Sequence, residues 1–401
     1  MAVVPLVTSR KDPAGTAVPV FALGFRPFFL VAGAAAVVLL ALWVLHYTAQ
    51  TALGAYYPPA IWHGHEMVFG YTVAVIAGFL LTAVRNWTDL QTLRGAPLAV
   101  LVALWVAGRV LPFHADEVPH AVVAGTDLLF LPLLTVALAV PLLRRREARN
   151  LVFLPLLLAL TLANALVHCE ILGYAQSTAR IGLYLGVNLV VLIIAVIGGR
   201  VIPFFTQRAL PGAAPRQWPA VEGVGYGSIV AFAVLDGLWP AGLSGGLVAL
   251  LAAVSHGVRL AGWYDRRIWG VPLLWVLHAG YAWMVIGFGL AAVAAAGLIS
   301  PGAALHAFTV GAIGMLTLGM MARVALGHTG RPLEPARVMG LAFVLVVAAA
   351  GVRVAGATLA AAEWYIWSVS LSGALWGGAF AVFVAVYTPI LLRPRVDGQP
   401  G

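Results

Sequence analysis

The chain has 401 residues, of which 62% are hydrophobic and 9% charged, with a formal net charge of +9 and a mean hydropathy of +0.98. A soluble globular protein carries roughly 25% charged residues, so this is an integral membrane protein with no room for a soluble domain of any size. The single cysteine, Cys169, excludes an internal disulfide framework and any zinc site built from several thiolates, and leaves histidine as the main source of metal ligands.

Residues 1–20 are polar, with Arg10, Lys11 and Pro13 and no apolar core. They read as a short cytoplasmic tail rather than a signal or transit peptide. Breaking the apolar runs at Pro, Gly and charge clusters then gives about twelve transmembrane helices. Their approximate spans are 21–46, 61–84, 96–113, 120–142, 150–171, 178–202, 222–239, 243–263, 271–298, 303–325, 337–358 and 363–392. The fold class is an all-α integral membrane protein, a single polytopic domain over 21–393, with about six helices either side of a cytoplasmic loop at 203–221 and a cytoplasmic tail at 394–401.

The basic residues fall almost wholly on one side of this map, in "RNWTDLQTLR", "RRREAR", "RVIPFFTQRALPGAAPR", "YDRR" and "RVALGHTGRPLEPAR", with only Arg109, Arg180 and Arg353 in outward halves. That bias places both termini in the cytoplasm and assigns the positive charge to membrane orientation, not to nucleic acid. The localisation it implies is a multi-pass membrane protein with its basic loops toward the cytoplasm. "GVGYG" at 223–227 lacks a nucleotide-binding spacing, and there is no Walker sequence.

The ten histidines sort by depth. His46, His63, His65, His114, His120, His168 and His306 lie at or near the outer side; His256, His278 and His328 lie in the inner half or inner loop. Histidine inside a bilayer is expensive and usually functional. "IWHGHEMVFG" at 61–70 packs His63, His65, Glu66 and Met67 into five positions. On an ideal helix residues two apart diverge by about 200°, so His63 and His65 face different sides, whereas His63 and Met67 share one. An imidazole with a thioether suits copper or a heme iron, and Glu66 can accept a hydrogen bond from a ligating imidazole or carry protons.

Further along, His168, Cys169 and Glu170 end the fifth span together, and Asp127 is an isolated membrane carboxylate that can neutralise an arginine such as Arg109 or relay protons. His278, in "WVLHAGYAW", lies about two turns into the ninth span. His306 opens the tenth, whose Gly311, Gly314 and Gly319 leave a smooth strip for close packing or for a flat macrocycle.

Five segments, "FALGFRPFFL" at 21–30, "WHGHEM" at 62–67, "GFLLTAVRNWT" at 78–88, "GRVIPFFT" at 199–206 and "HAFTVGAIGMLTLGMMARVALGHTGRPL" at 306–333, together resemble the NnrS family of bacterial membrane proteins. The family pattern usually has proline at the place of Arg85 and alanine at that of Gly64; neither change removes a candidate ligand. The resemblance implies heme and copper as cofactors, and a role in nitric oxide metabolism and resistance to nitrosative stress. It places His63, His65, His306 and His328 in family motifs and His278 in a less distinctive one. Arg200, Arg323 and Arg331, at the inner rim, are candidates to pair with heme propionates, since arginine forks carboxylates. The expected partners are nitric oxide or another small gas, the lipid bilayer and an electron donor the sequence does not identify. The rival readings are a proton-coupled secondary transporter built as two six-helix halves and a heme or copper delivery protein.

Overall fold

A computed structural model describes residues 18–49, 51–359 and 362–399; most of the tail expected over residues 1–20 lies outside them. Among the described residues twelve helices are long and apolar enough to cross a bilayer: α1 Phe25–Ala49, α2 Pro59–Thr88, α3 Gly95–His114, α4 His120–Arg145, α5 Ala148–Ile171, α6 Thr178–Ala209, α7 Pro219–Leu238, α8 Leu243–Trp263, α9 Pro272–Ala295, α10 Pro301–His328, α11 Arg337–Thr358 and α12 Trp364–Leu392. No strand occurs among the described residues. Helices satisfy their own backbone groups, which is what lets so apolar a chain cross lipid.

Their packing falls into three sets of four. In α1–α4, α5–α8 and α9–α12 the second helix packs on the first and on the fourth, and the sets adjoin through α4 with α5, α8 with α9, and α12 with α1. The second helices, α2, α6 and α10, also touch one another. They are the most buried: 89%, 56% and 78% of their most apolar windows lie inside, against 22–50% for the other nine. A helix that is apolar all round and shielded from lipid by neighbours is where polar side chains can be held on purpose.

Both described ends lie on one face, because Arg26 at the start of α1 donates to the carbonyls of Leu391 (2.9 Å) and Arg393 (2.7 Å) at the end of α12. The residues after α12 dock on that face: Val396 N–H donates to Thr329 O at 3.1 Å, and Arg395 donates to His328 O and pairs with Asp397.

Two helix ends depart from expectation for identifiable reasons. Pro203 was expected to close the sixth span at 202, yet α6 runs on to Ala209. Proline removes the N–H that would meet Gly199 O, and the Gln217 side-chain amide donates to that carbonyl at 2.6 Å instead. The loop expected over 203–221 is correspondingly shorter. The smooth strip of α10 is filled by packing: a Cβ at Gly311 would fall 2.7 Å from Trp283 Cγ, and one at Gly319 2.7 Å from a Val276 methyl. Gly314 likewise meets Trp376, so this strip faces side chains and not a macrocycle.

Candidate metal centre

The two most buried helices, α2 and α10, share a local plan. Each begins with proline, Pro59 or Pro301, at a first helical position where no N–H is needed. Each reaches a histidine, His65 or His306, after which seven residues, Glu66–Thr72 or Ala307–Ile313, wind as π-helix. π-segments are rare and concentrate at functional sites, because the extra residue per turn re-aims the side chains around it.

Beside these segments, α1, α2, α6, α10, α11 and α12 enclose a cavity of about 430 Å³. His63 and Met67 of α2 both line it, as their four-residue spacing requires, and His306 of α10 joins them. The His63 ring stacks on Trp43, centroids 4.5 Å apart and planes 10° apart, and its Nδ1 is buried without a partner. His306 Nδ1 lies 2.6 Å from Gly302 O; an Nδ1–H donated there leaves the Nε2 lone pair available to a metal, the usual arrangement for a ligating imidazole.

Two arginines, Arg180 and Arg353, line the same cavity, and among the described residues its lining holds no carboxylate. Arg353 donates from Nη2 to Tyr365 OH at 2.6 Å, while its Nη1 is buried without a partner among the described residues. An aromatic- and aliphatic-walled cavity with two imidazoles and two guanidiniums matches an apolar ligand that carries both a metal and carboxylates.

His65, two residues on from His63, faces the other way, into a buried polar cluster between α2, α3, α4 and α5. Its Nδ1 lies 3.1 Å from Glu66 Oε1, and its Nε2 lies 2.9 Å from Asn164 Oδ1 and 3.2 Å from Asp127 Oδ2. His168 Nε2 approaches the same Asp127 oxygen at 3.1 Å, and its Nδ1 meets Tyr56 OH at 2.8 Å. Asn164 also donates to Asp127 Oδ2, at 2.7 Å. Arg109 hydrogen-bonds to Asp127 Oδ1, and its Nε lies 3.2 Å from Glu66 Oε2.

One ring nitrogen from each of His65 and His168 and an Asp127 oxygen therefore converge within 4.8 Å of one another. With both histidines neutral, Glu66, Asp127 and Arg109 sum to one net negative charge, which a proton or a metal cation would balance. Tyr57, in the loop before α2, places its hydroxyl 3.2 Å from His65 Nε2. Burial, with Asp127 and Glu66 nearby, pushes its phenol well above the usual range, so it keeps its proton.

Gly70 is required by this cluster. A Cβ there would lie 2.9 Å from Arg109 Nη1 and 3.1 Å from Glu66 Oε2, while its carbonyl accepts from Trp105 Nε1 at 3.1 Å.

The remaining sequence candidates lie elsewhere. His278 is buried in α9, with Nδ1 3.0 Å from Leu274 O and no partner for Nε2; it lines neither the cavity nor the cluster. His328 ends α10 near the termini, against the Phe25 ring. Arg200 bonds Asn150 and Arg149 O, Arg323 lies over the Phe205 ring at 3.8 Å, and Arg331 is in the loop after α10; none of the three lines the histidine cavity. Glu66 belongs to the cluster and not to the cavity wall. Cys169 is half-buried and free, and Glu170 accepts from Ala179 N–H at 2.7 Å, so of that triplet only His168 joins the cluster.

Sequence reasoning missed Asn164, Tyr57 and the cavity roles of Arg180 and Arg353. The available signal for the arginines was their place in outward halves, against the general bias of basic residues. The pairing of Asp127 with Arg109 was one of two readings open for that carboxylate, and the structure brings the two together.

No curated protein matches the chain. The model of one protein family, NnrS protein, matches residues 19–395 of the 401. A match over nearly the whole length, across all twelve helices and both polar sites, makes the chain a member of the NnrS family.

Proposed function

We propose that the protein is a bacterial inner-membrane metalloprotein that holds heme in the His63–His306 cavity and copper at the His65–Asp127–His168 cluster, and that it binds or consumes nitric oxide. The observation that carries this reading is the cavity: two imidazoles from different helices, His63 with a buried Nδ1 that meets no partner and His306 with its Nδ1 against a backbone carbonyl, beside two arginines with no carboxylate among the described residues of the lining. A heme bound there supplies an iron that takes a small gas as ligand.

The chain's own residues then divide the work. His63 and His306 offer ring nitrogens, Trp43 orients His63 by stacking, and Arg180 and Arg353 hold carboxylates in place of the more distant Arg200, Arg323 and Arg331. Trp43, Tyr71 and Trp376 keep the cavity wall largely apolar, so a neutral gas enters from the bilayer more readily than water does. For copper, two imidazoles and one carboxylate are a donor set that suits a divalent first-row ion, Glu66 orients His65 from the opposite ring nitrogen, and the net negative charge favours a cation. The positive-inside bias then puts both termini in the cytoplasm and both sites in the outer half of the membrane. Electrons come from a partner outside this chain.

The test is the absorption spectrum of purified protein, oxidised and dithionite-reduced, with iron and copper measured on the same sample. Stoichiometric iron with a Soret band that nitric oxide shifts is expected. His63→Ala or His306→Ala should remove the iron and leave the copper, and His168→Ala the reverse. Protein made with ample heme and metal that contains neither would return the chain to the class of proton-coupled carriers.

A further inference from the structure

Where α2, α6 and α10 converge, a second and smaller cavity of about 70 Å³ lies against the paired-histidine cavity. Val75 and Ile76 of α2, Ile193 and Ile197 of α6, and Leu316 and Met320 of α10 form its wall. Two threonines, Thr72 and Thr317, also reach it, but their hydroxyls are turned to other partners. Thr72 Oγ1 donates to Met67 O at 2.7 Å. Thr317 Oγ1 lies 2.6 Å from Ile313 O and 2.5 Å from Tyr71 OH. The wall that remains is apolar.

A water needs two to four polar partners, and an apolar cavity of this kind stays dry while admitting small apolar guests. At about 30 Å³ per water in the liquid, the space takes one or two diatomic molecules and nothing the size of a substrate with polar groups.

The boundary between the two cavities is thin. Thr72 lines both, and Tyr71, which lines the larger, is hydrogen-bonded to Thr317, which lines the smaller. That pair joins the end of the π-segment of α2 to the turn of α10 just after its own π-segment.

We propose that the small cavity is a holding site for an uncharged diatomic gas, and that the Tyr71–Thr317 pair is the partition such a gas crosses to reach the paired-histidine cavity. The class of ligand follows from the volume and the dryness; its destination rests on the function proposed above. Tyr71 and Thr317 are positioning residues here, holding two helices together across the crossing point.

Xenon, which binds dry cavities without chemistry, is the probe for the site itself. Crystals or detergent-solubilised protein under xenon, examined by anomalous scattering or xenon NMR, should show one occupied position between Val75, Ile193 and Leu316. Val75→Phe and Ile193→Phe, which fill the space from two different helices, should each abolish it. This arm needs no heme and survives failure of the functional reading.

The second arm is carbon monoxide rebinding to the reduced protein after flash photolysis. Either filling variant should slow bimolecular association about tenfold, a barrier rise of about 1.4 kcal/mol, with the Soret position unchanged. An empty cavity under xenon would overturn the holding site. Occupied xenon with unchanged association rates in both filling variants would overturn the route.

Discussion

Replacing Arg109 by methionine removes the one guanidinium that faces both carboxylates of the buried cluster. Arg109 hydrogen-bonds to Asp127 and lies 3.2 Å from Glu66, and all three side chains are at most 7% exposed. At an effective dielectric of about 20, each contact within 4 Å represents about 4 kcal/mol of gross attraction. Desolvation offsets much of that in the intact protein, but loss of one partner leaves the penalty without the gain, at about 3–5 kcal/mol net. Two carboxylates lose their partner at once here, so the upper half of that range is expected. Arg109→Met combined with Asp127→Asn takes away one charge of each sign and should recover at least half of the loss, since Glu66 still has His65 at 3.1 Å. Unfolding of the detergent-solubilised protein, followed by tryptophan fluorescence in a denaturant series, measures all three variants. A cost below about 1 kcal/mol for Arg109→Met, the level of a solvent-screened pair, would refute the description of the cluster as a desolvated charge network.

Three other substitutions probe separate parts of the structure. Gly311→Ala forces a methyl to within 2.8 Å of three Trp283 atoms and should cost about 1–3 kcal/mol by overpacking, read in the same denaturant series; a neutral result would mean α9 and α10 are not in close contact. Tyr71→Phe removes one hydrogen bond between α2 and α10, about 1 kcal/mol, and should speed carbon monoxide exchange between the two cavities while leaving iron content unchanged. Asp397 is held at about 2, chiefly by hydrogen bonds from Arg395. Its folded value lies below the ordinary carboxylate value of about 3.9, so the pair's contribution is complete above about pH 4 and lost as pH falls through about 2. Amide exchange at residues 395–398, corrected for intrinsic rate, should be constant from pH 5 to pH 8 and rise in Asp397→Asn at every pH.

The spans were legible because each is a continuous apolar run longer than a bilayer requires, and the divergence of His63 from His65 was legible because helical geometry fixes it at 100° per residue. What the sequence hid is partnership across space. Arg109 could be named as a possible counter-charge, but nothing near Asp127 in the chain indicates that Asn164 and His168, both on α5, would converge with it on the same carboxylate. The grouping by fours is hidden for the same reason, since every helix is similarly apolar and only packing distinguishes α2, α6 and α10. Pro203 misled in the opposite direction: its local rule is sound, but a distant side chain, Gln217, supplies the donor that lets α6 continue. The π-segments carry no signature in composition, because they change which carbonyl each N–H meets and not which residues are present.

One helix, α2, therefore serves two sites that differ in every physical respect. His63 looks into an aromatic-walled cavity and His65 into a network of charge, with Gly64 between them as the only spacer. A rigid rotation of the helix about its axis would move one ring away from its site as it pressed the other into its own. Trp43 stacked on His63 and the four partners of His65 (Glu66, Asn164, Asp127 and Tyr57) oppose such rotation from both sides. Replacing either set should thus disturb the other site: Asp127→Ala, which touches nothing in the cavity, is expected to shift the absorption of whatever His63 holds, whereas Asp397→Asn, on the termini face, is not. Spectra of the two variants side by side decide it, and an unshifted band in Asp127→Ala would show that the two sites are mechanically independent.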